Sequence, residues 1–274
     1  MAGPGSLTTL KSLLRQINSL PFEATLKRYY PAPASLESRL QVDLTTPKGW
    51  DEVRTQEGNF LIPETRARWQ RMCETPIVHD SAAGDLPARA YCILDLIEQH
   101  RLGPQFYSLG VGLAALEYHV KRLNPALEVF CSDCGEVTTS RLGKVFRECN
   151  GITKFDLLED SFHAIYPNAK PNPFVLIHRV DPQLSDAHWI KVFAGLRKSG
   201  VDHALFVPYK ILTLRHLLEF KRRELWQRLS RVNLAFCGYV RTRRRLVRLW
   251  GNSFEIIAEP KIGYSQGFLL KQKN

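Results

Sequence analysis

The chain has 274 residues, 44% of them hydrophobic, and a formal net charge of +11, which is enough to bury a sizeable core in one large domain or in a domain with an appended module. No apolar run approaches the roughly 18 residues of a membrane-spanning helix, and the first residues lack a basic stretch followed by an apolar one, so a cytoplasmic protein is expected. The six cysteines are scattered, a usage that suits reduced thiols better than a disulfide framework.

Taken in chain order, Leu7, Leu10, Leu13, Leu14, Ile17 and Leu20 recur at helical spacing behind Ser6 as N-cap, and Pro21 ends the predicted helix. The proline-punctuated stretch from Tyr29 to Leu40 reads as a connection, and Pro63 to Glu74 as a short helix with proline in its first turn. Residues 1–75 are therefore expected to form a helical cap or lid, and residues 76–274 the main domain. From Pro87 onward the rhythm alternates: an amphipathic helix ending at Gly103, the strand and turn QFYSLGVG, a helix, the strand LEVFCSD, and a helix closing at Asn150-Gly151. The strands ITKFDLL, PFVLIHRV and HALFVPY follow, with the helix DAHWIKVFAGLRKSG before the last of them. Short apolar strands alternating with amphipathic helices predict an α/β fold with a doubly wound, mostly parallel sheet. After an Arg-rich helical segment, FEIIAEP and GYSQGFLLKQ leave no room for a crossover helix, so they should pair as an antiparallel C-terminal hairpin.

Gly110-Val111-Gly112 falls where the first strand of this alternation meets its helix. One glycine permits a sharp turn and the other lets a ligand approach backbone at the helix start. Asp133 stands at the end of the next strand, 23 residues after Gly110, where a carboxylate can accept from both hydroxyls of a ribose. The same glycines also fit the dinucleotide fingerprint. Cys131 and Cys134 have C-x-x-C spacing, but no second ligand pair accompanies them, so no metal is expected.

The run from Tyr107 through Leu205 resembles the class I (Rossmann-like) S-adenosylmethionine-dependent methyltransferases. SLGVGLAA looks like their glycine motif, VFCSD their ribose-binding strand end, ITKFDLLED their third strand, and VLIHRVDPQLSDAHWIKVFAGLRKSG their fourth strand and following helix. The resemblance implies a seven-stranded sheet and S-adenosylmethionine as cofactor. Gly110 and Gly112 would line its methionine end, Asp133 would hold the ribose, and Asp156 or Leu157 would border the adenine. It also implies that His178 and Asp181 face the reaction centre, His178 as a base and Asp181 orienting it or binding substrate. Ser108 departs from the pattern, since the family usually carries an acidic residue there. Either its hydroxyl serves the cofactor's amino group or affinity is low. Ala114 stands where a third glycine is common, and its methyl can pack at a helix start.

Charge bears on the acceptor. From Ile211 to Trp250 there are eleven Lys plus Arg against two Glu, so most of the imbalance lies in one stretch. Arg241, Arg243, Arg244 and Arg245 can engage an anionic small-molecule or glycan-like acceptor, while an amphipathic helix with solvated arginines explains them equally. An RNA-directed methyltransferase is the second reading, and an inactive methyltransferase-like binding protein another. An NAD(P) oxidoreductase is weakly indicated, because Pro167 and Pro171 break the helix that a Tyr166–Lys170 pair would need.

Overall fold

The computed structural model describes residues 22–31, 47–55, 61–75, 85–164, 173–230 and 234–274. The helix expected over 6–20 and the Tyr166–Lys170 pair lie outside these residues. The chain opens with β1 (Thr25–Pro31), α1 (Pro47–Thr55), α2 (Arg66–Glu74) and α3 (Leu86–Gln99). The alternating part follows as β2 (Gln105–Leu109), α4 (Ala115–Leu123), β3 (Glu128–Asp133), α5 (Glu136–Val145), β4 (Gly151–Lys154), β5 (Phe174–His178), α6 (Asp186–Lys198) and β6 (His203–Val207). Then come α7 (Leu214–Leu229), β7 (Leu234–Arg241), α8 (Arg243–Trp250), β8 (Phe254–Ala258), the short pair β9 (Lys261–Ile262) and β10 (Ser265–Gln266), and β11 (Phe268–Gln272).

Seven strands form one sheet in the order β4-β3-β2-β5-β6-β11-β8. β4 through β6 run parallel, and β11 is antiparallel to both β6 and β8. The expected mostly parallel sheet with an antiparallel C-terminal hairpin is present. Its central strands are short apolar runs because helices cover both faces, and alternate side chains enter different cores. Phe106 packs with Trp69, Ile93 and Val129 on one side, whereas Tyr107 and Leu109 pack with Trp189, Phe193 and Trp250 on the other. Two helix starts are capped as their sequences allow. Ser185 Oγ accepts from His188 N at 3.3 Å before α6, and Thr242 Oγ1 from Arg245 N at 3.2 Å before α8.

The N-terminal region carries a strand besides the helices expected of it. β1 occupies part of the stretch read as a connection and pairs antiparallel with β7, from Thr25↔Arg241 to Pro31↔Leu234, with an irregularity at Arg28/Tyr29. β7 in turn interrupts the Arg-rich segment that had been expected to be helical. α2 is a fixed layer rather than a loose lid. Its fully buried Trp69 donates through Nε1 to the Leu113 carbonyl at 2.9 Å and meets Tyr118 edge to face at 5.2 Å between ring centroids.

Arg241, at the end of β7, has no exposed surface. Its Nε donates to Asp186 Oδ1 at 2.6 Å, its Nη1 to the Asp181 carbonyl at 2.9 Å, and its Nη2 to the Leu184 carbonyl. One guanidinium thus fixes the whole β5–α6 connection, and Asp186 stays ionised in spite of partial burial because Arg241 and Arg245 hydrogen-bond to it. Removing one member of such a buried set typically costs about 3–5 kcal/mol. Arg241→Ala should lower the stability measured by urea unfolding by about 3 kcal/mol or more. An unchanged midpoint would mean that this side chain is dispensable to the fold.

Candidate functional site

The strand order reverses between β2 and β5, because β3 and β4 follow on one side and β5 and β6 on the other. In open parallel sheets the crevice at such a reversal, beyond the carboxyl ends of the strands, takes ligands. Gly110 and Gly112 turn the chain there with φ of 72° and 55°. The amides of Gly110 and Val111 donate to the Ser132 carbonyl at 2.8 and 3.1 Å, and the amide of Gly112 donates to Asp133 Oδ2 at 2.9 Å. A Cβ on Gly110 would sit 2.6 Å from Val180 Cγ2. Ala114 is also left-handed, at φ 56°. Its strain of roughly 1–2 kcal/mol is offset by about 0.8 kcal/mol from its buried methyl and by roughly 0.5–1 kcal/mol of chain entropy that glycine would lose. That balance explains why alanine is tolerated there.

Beside this turn lies a cavity of ≈ 180 Å³ whose walls include Arg89, Ser108, Gly110, Glu117, His178 and Arg179. Ser108 Oγ donates to Glu117 Oε1 at 2.6 Å, and both residues are buried. Glu117 belongs to the first turn of α4. Burial pushes its pKa up to about 7, against the lowering effect of the Ser108 hydroxyl and of its own backbone amide. Arg89, on α3, brings Nη1 to 3.3 Å from His178 Nε2. A guanidinium only donates, so Nε2 is the acceptor and the ring proton sits on Nδ1.

Several expected roles change in this geometry. His178 lines the cavity, but burial and then the charges of Arg89 and Arg179 hold its pKa at about 3. This environment speaks against the base role expected of it, since a ring with so little proton affinity, and with Nε2 taken by Arg89, is a poor acceptor near neutrality. Asp181 is buried and does not line the cavity. Its Oδ1 accepts from the Tyr209 amide, and burial raises its pKa to about 7, so it ties the end of β5 to the segment after β6. Nor do Arg241, Arg243, Arg244 and Arg245 line the cavity. Arg241 is internal, Arg243 pairs with Glu259, and Arg244 lies 3.3 Å from Glu23.

Asp133, by contrast, stands at the turn, with Oδ1 accepting from Gly135 N at 3.1 Å and Oδ2 from Gly112 N. Asp156 follows the neighbouring strand β4, where Phe155 N donates to the Asp133 carbonyl at 2.9 Å. Its Oδ1 accepts from Leu158 N at 2.9 Å, and Leu157 packs against the adjoining core.

Sequence reasoning missed Arg89, Glu117, Arg179 and Asp51. Arg179 adopts φ 62°, a rare conformation for a long side chain and a frequent mark of functional sites. It rests 4.8 Å from the Tyr209 ring centroid, and Arg28 of β1 lies 4.7 Å from the same centroid. Asp51 of α1 caps α5 from a distance, accepting from Glu136 N at 3.1 Å and Val137 N at 2.9 Å.

No protein-family model matches the chain, and no curated protein matches it. Solved structures do. Magnesium protoporphyrin IX methyltransferase (ChlM) from Synechocystis PCC 6803 with bound SAH aligns at a TM-score of 0.53 and 13% identity, over 76% of this chain and 94% of that one. The S-adenosylmethionine-dependent methyltransferase SibL in its apo form aligns at 0.50 and 14%, over 98% of this chain and 75% of its own. The pyocyanin biosynthetic protein PhzM aligns at 0.50 and 14% over 70% of this chain, and the match spans only 56% of PhzM. The chain has the fold of the class I S-adenosylmethionine-dependent methyltransferases.

Two outcomes test this local account. Gly110→Ala combines an adverse φ with a contact against Val180, so it should cost about 2 kcal/mol or more in thermal or urea unfolding. Glu117 has a folded pKa of about 7 against 4.5 for the free side chain, so the folded chain holds a proton that the unfolded chain has lost, and stability falls as pH rises across that window. Glu117→Gln should therefore be more stable than wild type above pH 7, by on the order of 3 kcal/mol. The gap should close as pH falls toward 4.5. Urea midpoints at both ends of the window measure it, and a pH-independent difference would contradict the burial account.

Proposed function

We propose that the chain is an S-adenosylmethionine-dependent methyltransferase acting on an oxygen or nitrogen atom of a small or medium-sized acceptor. The observation that carries this reading is the left-handed Gly110–Gly112 turn clipped to Asp133 at the reversal point of a sheet with methyltransferase topology. The residues suit the cofactor: Gly110 takes the left-handed turn with Val180 packed where a Cβ would stand, Asp133 offers carboxylate oxygens to the ribose, and Asp156 and Leu157 stand at the adjoining strand end for the adenine. The cofactor, when bound, supplies a sulfonium methyl open to in-line displacement. The protein's share is then to hold the reacting atoms in line and exclude water. With His178 held neutral and weakly basic, acceptors whose nucleophile needs no strong base suit the site best.

The RNA-directed alternative drew its support from the arginines of the C-terminal segment. Arg241, Arg243, Arg244, Arg245 and Arg248 are engaged by Asp186, Glu259 and Glu23, which takes part of that patch into the protein's own ion pairs. An anionic acceptor is supported instead by Arg179 at the cavity. In this reading residues 76–274 hold the cofactor and residues 1–75 brace it. We keep a cytoplasmic setting as part of this reading; no helix among the described residues is long and apolar enough to cross a membrane.

Calorimetric titration with S-adenosylhomocysteine and, separately, NAD is the direct test. Binding of S-adenosylhomocysteine but not NAD is expected, weakened about tenfold or more by Asp133→Ala through loss of charge-assisted hydrogen bonds. A chain that binds NAD in preference, or neither compound, would overturn the assignment.

A further inference from the structure

The cavity beside the glycine turn brings together two buried side chains of opposite charge, Glu117 from α4 and Arg89 from α3. Glu117 is 3% exposed, and its side chain is held by Ser108, which donates to Oε1. Among the described residues no cation pairs with it. A carboxylate taken out of water without a cationic partner is costly, and a cationic ligand would remove that cost. Arg89, wholly buried, presents a guanidinium at the same cavity, with Nη1 against the neutral ring of His178. A guanidinium fork matches a carboxylate with two parallel hydrogen bonds. The turn residues Gly110 and Val111 line this cavity too, while the amide of Gly112 reaches Asp133 on the ribose side.

We propose that Glu117 and Arg89 form a zwitterion pocket for the α-amino-acid end of the cofactor, Glu117 taking the ammonium and Arg89 the carboxylate. Ser108 is the positioning residue: it directs Oε1 of Glu117 and leaves Oε2 for the ligand. The inference rests on the methyltransferase reading above and adds to it which charges recognise the ligand. It also accounts for Ser108 in a place where the resemblance led to an expected acid. The carboxylate sits nine positions later in the chain but within hydrogen-bond reach, 2.6 Å, of the Ser108 hydroxyl.

The test compares three ligands by calorimetry on the full chain: S-adenosylhomocysteine, methylthioadenosine, which lacks the amino-acid end, and the aminopropyl analogue, which keeps the ammonium and lacks the carboxylate. Wild type should prefer S-adenosylhomocysteine to methylthioadenosine by ~10-fold or more, a comparison that needs no variant. Glu117→Gln should weaken S-adenosylhomocysteine ~10- to 100-fold and leave methylthioadenosine within about twofold. Arg89→Gln should weaken S-adenosylhomocysteine similarly but spare the aminopropyl analogue. Ser108→Ala should reduce the preference between the first two ligands, and Ser108→Thr should restore it.

Equal losses for all ligands would reveal a structural role and overturn the pocket. So would variants that leave S-adenosylhomocysteine binding untouched, or a wild type that binds it no better than methylthioadenosine; in both cases the cofactor assignment would stand. A wild type that binds neither adenosine compound would overturn the cofactor assignment and the pocket together.

Discussion

The glycine turn after β2 is the constraint on which the site depends, because it is fastened to strands on either side. Its amides are spent on β3, at the Ser132 carbonyl and the Asp133 carboxylate, and Val180 after β5 closes over Gly110. The register Leu109↔Ser132 and Leu109↔Ile177 must therefore hold on both edges of β2. Side chains alternate along a strand, so a slip of one residue would bring Leu109 to the place of Ser108 and leave Glu117 facing a hydrocarbon. The two apolar cores enforce the register. Phe106 belongs to one and Tyr107 and Leu109 to the other, and neither set can be exchanged without exposing aromatic surface.

Positive charge is distributed by the same logic of partners. The C-terminal arginines look like a free patch in a linear count, yet in space they gather around acids from distant parts of the chain. Glu23 lies 3.3 Å from Arg244 and 2.7 Å from Arg248, so the residues before β1 are held against α8. Exposed pairs of this kind contribute little each, of order 0–1 kcal/mol. Arg241 differs because it is dry and satisfies two carbonyls besides a carboxylate. Arg241 and the pairs made with Glu23 thus fasten β1, β7 and the β5–α6 connection, while Arg215, Lys221, Arg222 and Arg223 of α7 keep their charges exposed.

What could be read in the sequence follows from the range of each signal. The strand-helix alternation, the glycine turn, Asp133 and the terminal hairpin are carried by residues close in the chain, with periodicity or turn chemistry to mark them. The β1–β7 ribbon joins segments about two hundred residues apart, and the run through Tyr29, Tyr30 and Pro31 reads as a loop because its partner is distant. α4 belongs to an alternation read as strands with amphipathic helices, yet Leu116 through Val120 are all buried. Trp69 and Cys73 of α2 cover that face, with the Cys73 carbonyl 3.1 Å from His119 Nε2. Periodicity reports how many sides of a helix are covered only when the covering element is already known. Arg89 suffered the same fate, since an arginine on an amphipathic helix looks solvated until Gly263 and the cavity wall enclose it.

Ser108 shows the difference between a motif and the requirement behind it. A motif places an acid at a given position in the chain, whereas the pocket proposed above needs negative charge at a given point in space. Two features qualify Glu117 to supply that charge from the helix. It lies in the first turn of α4, where unpaired amides and the helix dipole favour an anion. Its longer side chain also spans the gap that a serine leaves, and the serine hydroxyl becomes a donor that fixes it. A strand-end carboxylate would have stood where that hydroxyl now stands, and two buried acids so close could not both stay ionised. The acid on the helix and the serine on the strand are therefore one arrangement, and each residue type is intelligible only with the other in place.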